Sequence, residues 1–307
     1  MDSFDLDSAV ENIKSFGFKV IRPLTSRTCY TDLTPPEKLL KAAILDTETT
    51  GINPEIDKII ELGIVIFEYC PETGQVYRVF ETYDELEDPG IPIPPEATKT
   101  NGIVDEMVCG KKIRDEDVET LLSDVVLIIA HNADFDRKIS EKRFPFLKEK
   151  SWACSYAQIP WKDEGFKHAS LEFLAYRFGF HFPAHRALDD CFALLEVLQS
   201  ELPESGVKAL KMLLTKARTC NIKLWATGAD FDLKDKLKSR GYCYKPKEYI
   251  PERKIWHKMF SNEEFIMEID WLRSEIYGNM PFALELEKIK SQDQFTTRRG
   301  EIKKSFY

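Results

Sequence analysis

Residues 43–51 read AILDTETTG. An apolar, strand-compatible start runs directly into two carboxylates, Asp46 and Glu48, set one residue apart. Side chains at i and i+2 of a strand project to the same side of a sheet. Two anions held together where an apolar run meets the interior repel each other and lose hydration. In a chain with 52 Asp+Glu such a pair also arises by chance, so its meaning depends on what the rest of the sequence sets beside it.

Outward from this strand the pattern alternates between β and α. KIIELGIVIFEYC (58–70) reads as a second strand that turns through PETGQ into a third, VYRVFETY (76–83). DPGIPIPPEATKTNGI (88–103) is rich enough in proline to predict a loop without regular structure. DEDVETLLSD (115–124) predicts a helix and VVLIIAHN (125–132) a short buried strand. FDRKISEKRF (135–144), ASLEFLAYRFGF (169–180) and the amphipathic LDDCFALLEVLQSEL (188–202) predict further helices. Antiparallel strands followed by a parallel strand between helices imply an α/β unit with a mixed sheet covered by helices.

The domain boundary is expected near ELPESG (201–206). Residues 1–38 read as a partly helical N-terminal extension and 39–203 as the main domain. Residues 204–280 read as a small basic α+β domain of β-α-β-β-α order, and 281–307 as a charged, loosely packed tail. Charge supports the division: residues 1–203 carry 22 Lys+Arg against 37 Asp+Glu, whereas 204–307 carry 21 against 15. The 43% hydrophobic content is ample for packed cores, and no apolar run is long enough to span a bilayer. The acidic N-terminus lacks the basic flank and apolar core of a signal peptide. Seven scattered cysteines without a CxxC pair fit reduced thiols and a cytoplasmic location better than a disulfide framework or a zinc site.

Two further acidic motifs fall at element ends. The strand VVLIIAHN runs into HNADFD (131–136), which sets Asp136 just past a strand's carboxyl end, where open α/β sheets build their sites. HRALDD (185–190) places His185 in a loop and Asp189–Asp190 at a helix start. Helical phase distinguishes the two aspartates: Asp190 shares a face with Ala193, Leu194 and Val197 and points at the sheet, while Asp189 lies nearer Glu196 and water. Asp190 could equally serve as a helix cap, so its phase alone does not assign a role.

The ordered set LDTETTG, HNADFD and HRALDD resembles the DEDDh 3′–5′ exonucleases. This is the DnaQ-like group of the RNase T superfamily, to which the epsilon subunit of bacterial DNA polymerase III belongs. The resemblance covers about residues 41–200 and implies a ribonuclease H-like mixed five-stranded sheet flanked by helices. It further implies Asp46, Glu48, Asp136 and Asp190 as ligands of two divalent ions, Mg²⁺ or Mn²⁺, with His185 as general base. An anionic phosphodiester can approach four carboxylates only if cations intervene, and hard oxygen ligands suit these ions. A free imidazole titrates near ~6.5, within reach of neutral pH.

By the same resemblance Thr49 and the backbone at Gly102–Ile103 contact the terminal nucleotide; the alternative for Thr49 is a turn that only ends the strand. Phe135 either stacks on a base or packs as a core aromatic, and His168 either touches phosphate or is a capping or solvent-facing histidine. In the C-terminal part, lysines and arginines interleave with Tyr242, Tyr244 and Trp256, which suits either nucleic-acid contact or a small core with a solvated face. The implied activity is hydrolysis of single-stranded or frayed 3′ ends to nucleoside 5′-monophosphates. DNA is favoured as substrate, replication or repair proteins are candidate partners, and no membrane is involved. The rivals are an RNA-trimming exoribonuclease, a catalytically idle nucleic-acid adaptor and a hydrolase of small nucleotides.

Overall fold

The computed structural model describes residues 5–219, 221–247, 250–296 and 302–307. It divides into two compact units, Met1–Lys216 and Ala217–Tyr307. Unit 1 begins with α1 (Leu6–Ser15), β1 (Arg22–Pro23), β2 (Leu40–Thr49), β3 (Ile59–Tyr69) and β4 (Val76–Leu86). It continues with α2 (Pro95–Asn101), α3 (Asp105–Val108), α4 (Asp115–Leu121), β5 (Leu127–Ala130), α5 (Ala133–Arg143) and β6 (Trp152–Cys154). Then come α6 (Ser155–Gln158), α7 (Leu171–Phe178), β7 (Phe180–His181), α8 (Ala187–Gln199) and α9 (Ala209–Ala217), the last running one residue past the division.

The principal sheet has the order β4-β3-β2-β5-β6, with β4, β3 and β2 successively antiparallel and β5 and β6 added parallel to β2. This is the mixed five-stranded, helix-flanked sheet of the ribonuclease H-like architecture. Its centre is dry because β2 and β3 supply near-continuous apolar runs, with Ala42 to Leu45 and Ile60, Leu62, Ile64 and Val65 buried. The proline-rich segment 88–103 departs from expectation by forming α2. Pro95 occupies the first helical position, where its missing N–H costs no bond and its fixed φ suits a helix start. Gly102 then ends the helix in a left-handed conformation (φ 73°).

The N-terminal segment is not a separate extension but part of unit 1. Residues 28–30 exchange backbone hydrogen bonds with Tyr77 and Val79 of β4, and Arg27 makes a two-pronged ion pair with Glu196 of α8. That strip covers the outer edge of the sheet, a position that otherwise exposes unpaired backbone groups.

Unit 2 contains β8 (Asn221–Trp225), α10 (Lys234–Ser239), β9 (Cys243–Lys247), β10 (Ile250–Ser261), α11 (Asn262–Glu275), β11 (Ala283–Ile289) and β12 (Ile302–Phe306). They form an antiparallel sheet of order β12-β11-β8-β10-β9. The structure therefore moves the boundary from 203 to 216. Leu210, Leu213 and Leu214 of α9 are buried, which keeps that helix with the first unit. The expected loose tail is also corrected: β11 pairs with β8, and Leu284 and Phe282 enter the core of unit 2. Tyr242 and Trp256 lie in that same core, whereas Tyr244 is exposed. Residues 248–249 of the basic stretch, 297–301 of the tail, Cys220 and Met1–Phe4 lie outside the described residues. The six described cysteines are free thiols, and no described helix is long and apolar enough to cross a membrane.

Candidate active site

The carboxyl end of β2 carries Asp46 and Glu48, and the antiparallel register sets Gly63 opposite Asp46 and Glu61 opposite Glu48. Opposed residues of neighbouring strands share a face, so this face presents three carboxylates around one glycine. Gly63 is what lets α8 reach them. A Cβ there would lie 2.4 Å from the carbonyl carbon of Ala187 and 2.5 Å from the nitrogen of Leu188. The first turn of α8 consequently rests directly on the sheet, and Asp190 in that turn joins the β2 acids. Asp46, Glu48 and Asp190 each offer an oxygen within 4.8 Å of the other two.

Asp190 is fixed by its own loop. One carboxylate oxygen, Oδ2, accepts the backbone N–H groups of His185 (2.8 Å) and Arg186 (3.1 Å), satisfying donors that open the helix. His185 takes a left-handed backbone (φ 69°), an uncommon state for a non-glycine residue, and its side chain is exposed. The imidazole is near enough to Glu48 for its charge to favour that carboxylate. Asp189 is half-buried and feels the charges of Arg186 and Glu61, whereas its helical phase places it nearer Glu196 and water.

Asp136 approaches from the α5 side. It accepts a hydrogen bond from Thr47 Oγ1 (3.0 Å), the residue between the two β2 acids, whose side chain points away from them. Asp136 is buried and close enough to raise the Asp46 pKa, but it stands outside the three-oxygen cluster.

Electrostatics records the strain of this gathering. Burial, followed by Asp136, Asp190 and Glu48, pushes the Asp46 carboxyl well above the usual carboxylate range. Burial raises Asp136 to about 7, and burial with the Glu48 charge raises Asp190 to about 7. Burial also raises Glu48, against the opposing pull of the Asn101 amide. An all-oxygen, anionic, poorly hydrated donor set is suited to a hard divalent cation and can hold one.

Two supporting residues escaped the sequence reading. Asn101 donates from Nδ2 to Glu48 (3.2 Å) while its Oδ1 accepts the Ile103 N–H (3.0 Å), so the end of α2 orients the second acid. Glu61, only 1% exposed, receives Arg186 through Nε (2.9 Å) and Nη2, and the Ala187 N–H at 2.9 Å. A charge within the apolar run KIIELG was the available signal, since a buried carboxylate requires a partner. Arg186 lies inside HRALDD, so Glu61 ties that motif to β3.

The remaining predicted contacts separate. Thr49 spends its hydroxyl on the Gly51 carbonyl (2.6 Å) and closes the turn. Ile103 is 0% exposed and packs with Ile60 and Ile93, while Gly102 remains at the surface as the helix cap. Phe135 is half-buried in the first turn of α5. His168 is exposed, edge-on to Phe173. The turn after β2 instead presents Ile52, 94% exposed, close in sequence to the acids.

His131 orders the loop before Asp136. Its Nε2 donates to the Ala169 carbonyl (2.7 Å), which makes Nδ1 the acceptor of the Ser155 hydroxyl (2.8 Å). Burial lowers its pKa to about 4. We therefore expect the His131 imidazole to show no titration between pH 5.5 and 8 by ¹H–¹⁵N NMR; a midpoint near ~6.5 would contradict this environment.

Residues 43–198 match the RNase_T exonuclease family. The DNA polymerase III epsilon subunit of Treponema pallidum is 33% identical over 162 residues, which span 50% of this chain and 72% of that protein. The PolC-type DNA polymerase III of Thermotoga maritima is 28% identical over 184 residues, 58% of this chain but 12% of the polymerase. Among solved structures, exonuclease X in complex with 5′ overhanging duplex DNA is 26% identical, covering 56% of this chain and 97% of its own, with a TM-score of 0.43. The match to the family stops short of unit 2 and contains all three acidic motifs; over that span the chain belongs to the RNase_T family of exonucleases.

Proposed function

We propose that the chain is a metal-dependent 3′–5′ exonuclease that shortens single-stranded or frayed DNA ends to nucleoside 5′-monophosphates. The observation that carries this reading is the convergence of Asp46, Glu48 and Asp190 on one point, with His185 on the adjoining loop. Asp46, Glu48 and Asp190 would hold one divalent ion, and Asp136 would support a second beside Asp46. Such ions supply a hydroxide-like water at neutral pH and neutralise charge on the scissile phosphate.

The chain's own residues contribute position and proton transfer. Asn101 and Thr47 orient Glu48 and Asp136, and the Glu61–Arg186 pair holds the His185 loop against β3. His185, exposed beside the cluster, accepts the proton of the attacking water as general base. Ile52 and Gly102 offer uncluttered surface to the terminal nucleotide. Similarity to epsilon subunits and PolC-type polymerases supports DNA as the substrate and replication or repair proteins as partners.

Matched 5′-labelled DNA and RNA oligonucleotides with Mg²⁺ or Mn²⁺ test the proposal. A ladder shortening one nucleotide at a time from the 3′ end, faster on DNA, is expected. Internal cuts, or no product with either metal, would overturn it; faster RNA trimming would transfer the reading to an exoribonuclease.

A further inference from the structure

The cavity containing His185 and Asp190, about 420 Å³, extends along one side to Tyr156 and Ser170. Those two residues also line a second, larger trough of about 710 Å³, formed by the loop between α6 and α7. The two cavities thus adjoin at Tyr156 and Ser170, and together they line the surface of unit 1 from Asp190 to the α6–α7 loop as a channel.

The far trough is rigidly built. Trp161 and Phe166 are buried and meet edge to face at 5.3 Å. Trp161 Nε1 donates to the Ser155 carbonyl (2.8 Å), and in the same loop buried Glu164 accepts the N–H groups of Glu204 and Ser205. Each aromatic anchor is followed by a lysine, Lys162 and Lys167, and both are exposed along the trough. Tyr156 stands at the junction, 55% exposed, with its ring edge to face against His131.

These lysines differ from most cations of the unit. Arg27, Arg78, Lys138, Arg143 and Arg186 hold carboxylates, and Lys19, Lys58, Lys142 and Lys150 hold backbone carbonyls. Among the described residues neither Lys162 nor Lys167 makes an ion pair or a side-chain hydrogen bond. Their charge is available to a ligand, and the acids lining the two cavities are Asp163, Glu172 and, at the cluster end, Asp190. A polyanion approaching a unit so rich in acids needs such a local pair of cations.

We propose that this channel is the track for the nucleic-acid strand beyond the terminal nucleotide, with Lys162 and Lys167 on successive phosphates and Tyr156 stacked on a base. The inference rests on the exonuclease reading for its direction, but its chemistry, phosphates and base faces, is common to DNA and RNA.

Binding without turnover separates the two claims. Anisotropy of short fluorescein-labelled oligothymidylate and oligouridylate, in EDTA, is compared for the wild type, Lys162→Ala/Lys167→Ala and a charge-matched control, Lys111→Ala/Lys112→Ala. The channel variant should bind both strands about tenfold more weakly. Its salt slope should be shallower by about 1.4, from ~0.7 per phosphate on a single strand. Tyr156→Ala should weaken binding about fivefold with an unchanged slope. Wild-type affinity and slope in the double variant, or an equal loss in the control, would overturn the track. If the strand binds through these residues yet no metal yields a ladder, the track stands and the exonuclease reading falls. A full ladder with unaltered binding in the double variant removes the track alone.

Discussion

Asp46→Asn is expected to abolish hydrolysis, by about a thousandfold or more, while making the metal-free protein more stable at pH 8. The two effects have one origin. Asp46 is the acid that every other carboxylate of the site burdens, with burial and then Asp136, Asp190 and Glu48 all raising its pKa. Neutralising it removes repulsion from the apo protein and removes the ligand that links Glu48 to Asp190. Differential scanning fluorimetry in EDTA should show a gain on the order of 1 kcal/mol, or about 2–4 °C. The sign of its pH dependence follows from linkage. Asp136 and Asp190 are raised to about 7 from an ordinary 3.8, so the folded protein binds more protons than the unfolded chain between those limits. Metal-free stability contributed by these groups is full only below 3.8 and is lost progressively as pH rises to about 7. The advantage of Asp46→Asn should accordingly shrink between pH 8 and pH 5.5; an advantage that grows on acidification would contradict the electrostatic account.

Gly63→Ala is the second large effect. The added methyl would meet backbone atoms of Ala187 and Leu188 at 2.4–2.5 Å, and backbone cannot yield as a flexible side chain does. The helix must lift from the sheet or β3 must bend, at a cost of about 1–3 kcal/mol for overpacking. Asp190 travels with the helix, and displacement of a catalytic group by about 1 Å can lower turnover on the order of a hundredfold. The expected result is a lowered Tm together with a kcat loss out of proportion to it at a temperature where the variant is folded. Wild-type kcat in a folded Gly63→Ala protein would show that α8 does not need this contact to place Asp190.

The acids were legible in the sequence because chemistry fixes residue type and spacing at once: Asp46 and Glu48 on one strand face, Asp190 by helical phase. The sheet was legible through the apolar runs of β2, β3 and β5. Supports were not, because they join residues far apart in the chain. Glu61 finds Arg186 across 125 positions and Asn101 finds Glu48 across 53. The α2 helix was obscured by prolines, whose effect reverses between a helix interior and its first turn. The C-terminal strands β11 and β12 were obscured by their charges, since ALELEKI alternates Leu284 and Leu286, which pack on the core, with Glu285 and Glu287. Thr49 and Ile103 show the converse, motif positions whose polar groups fold inward to serve the turn and the helix cap.

On the proposed function, Asp46, Glu48 and Asp190 bind a divalent ion. Electron paramagnetic resonance of Mn²⁺ titrated into the wild type and into Asp46→Asn at neutral pH reads that binding. Bound Mn²⁺ is expected in the wild type, displaced by excess Mg²⁺, with that binding lost in Asp46→Asn. Equal Mn²⁺ binding by the two proteins would contradict it.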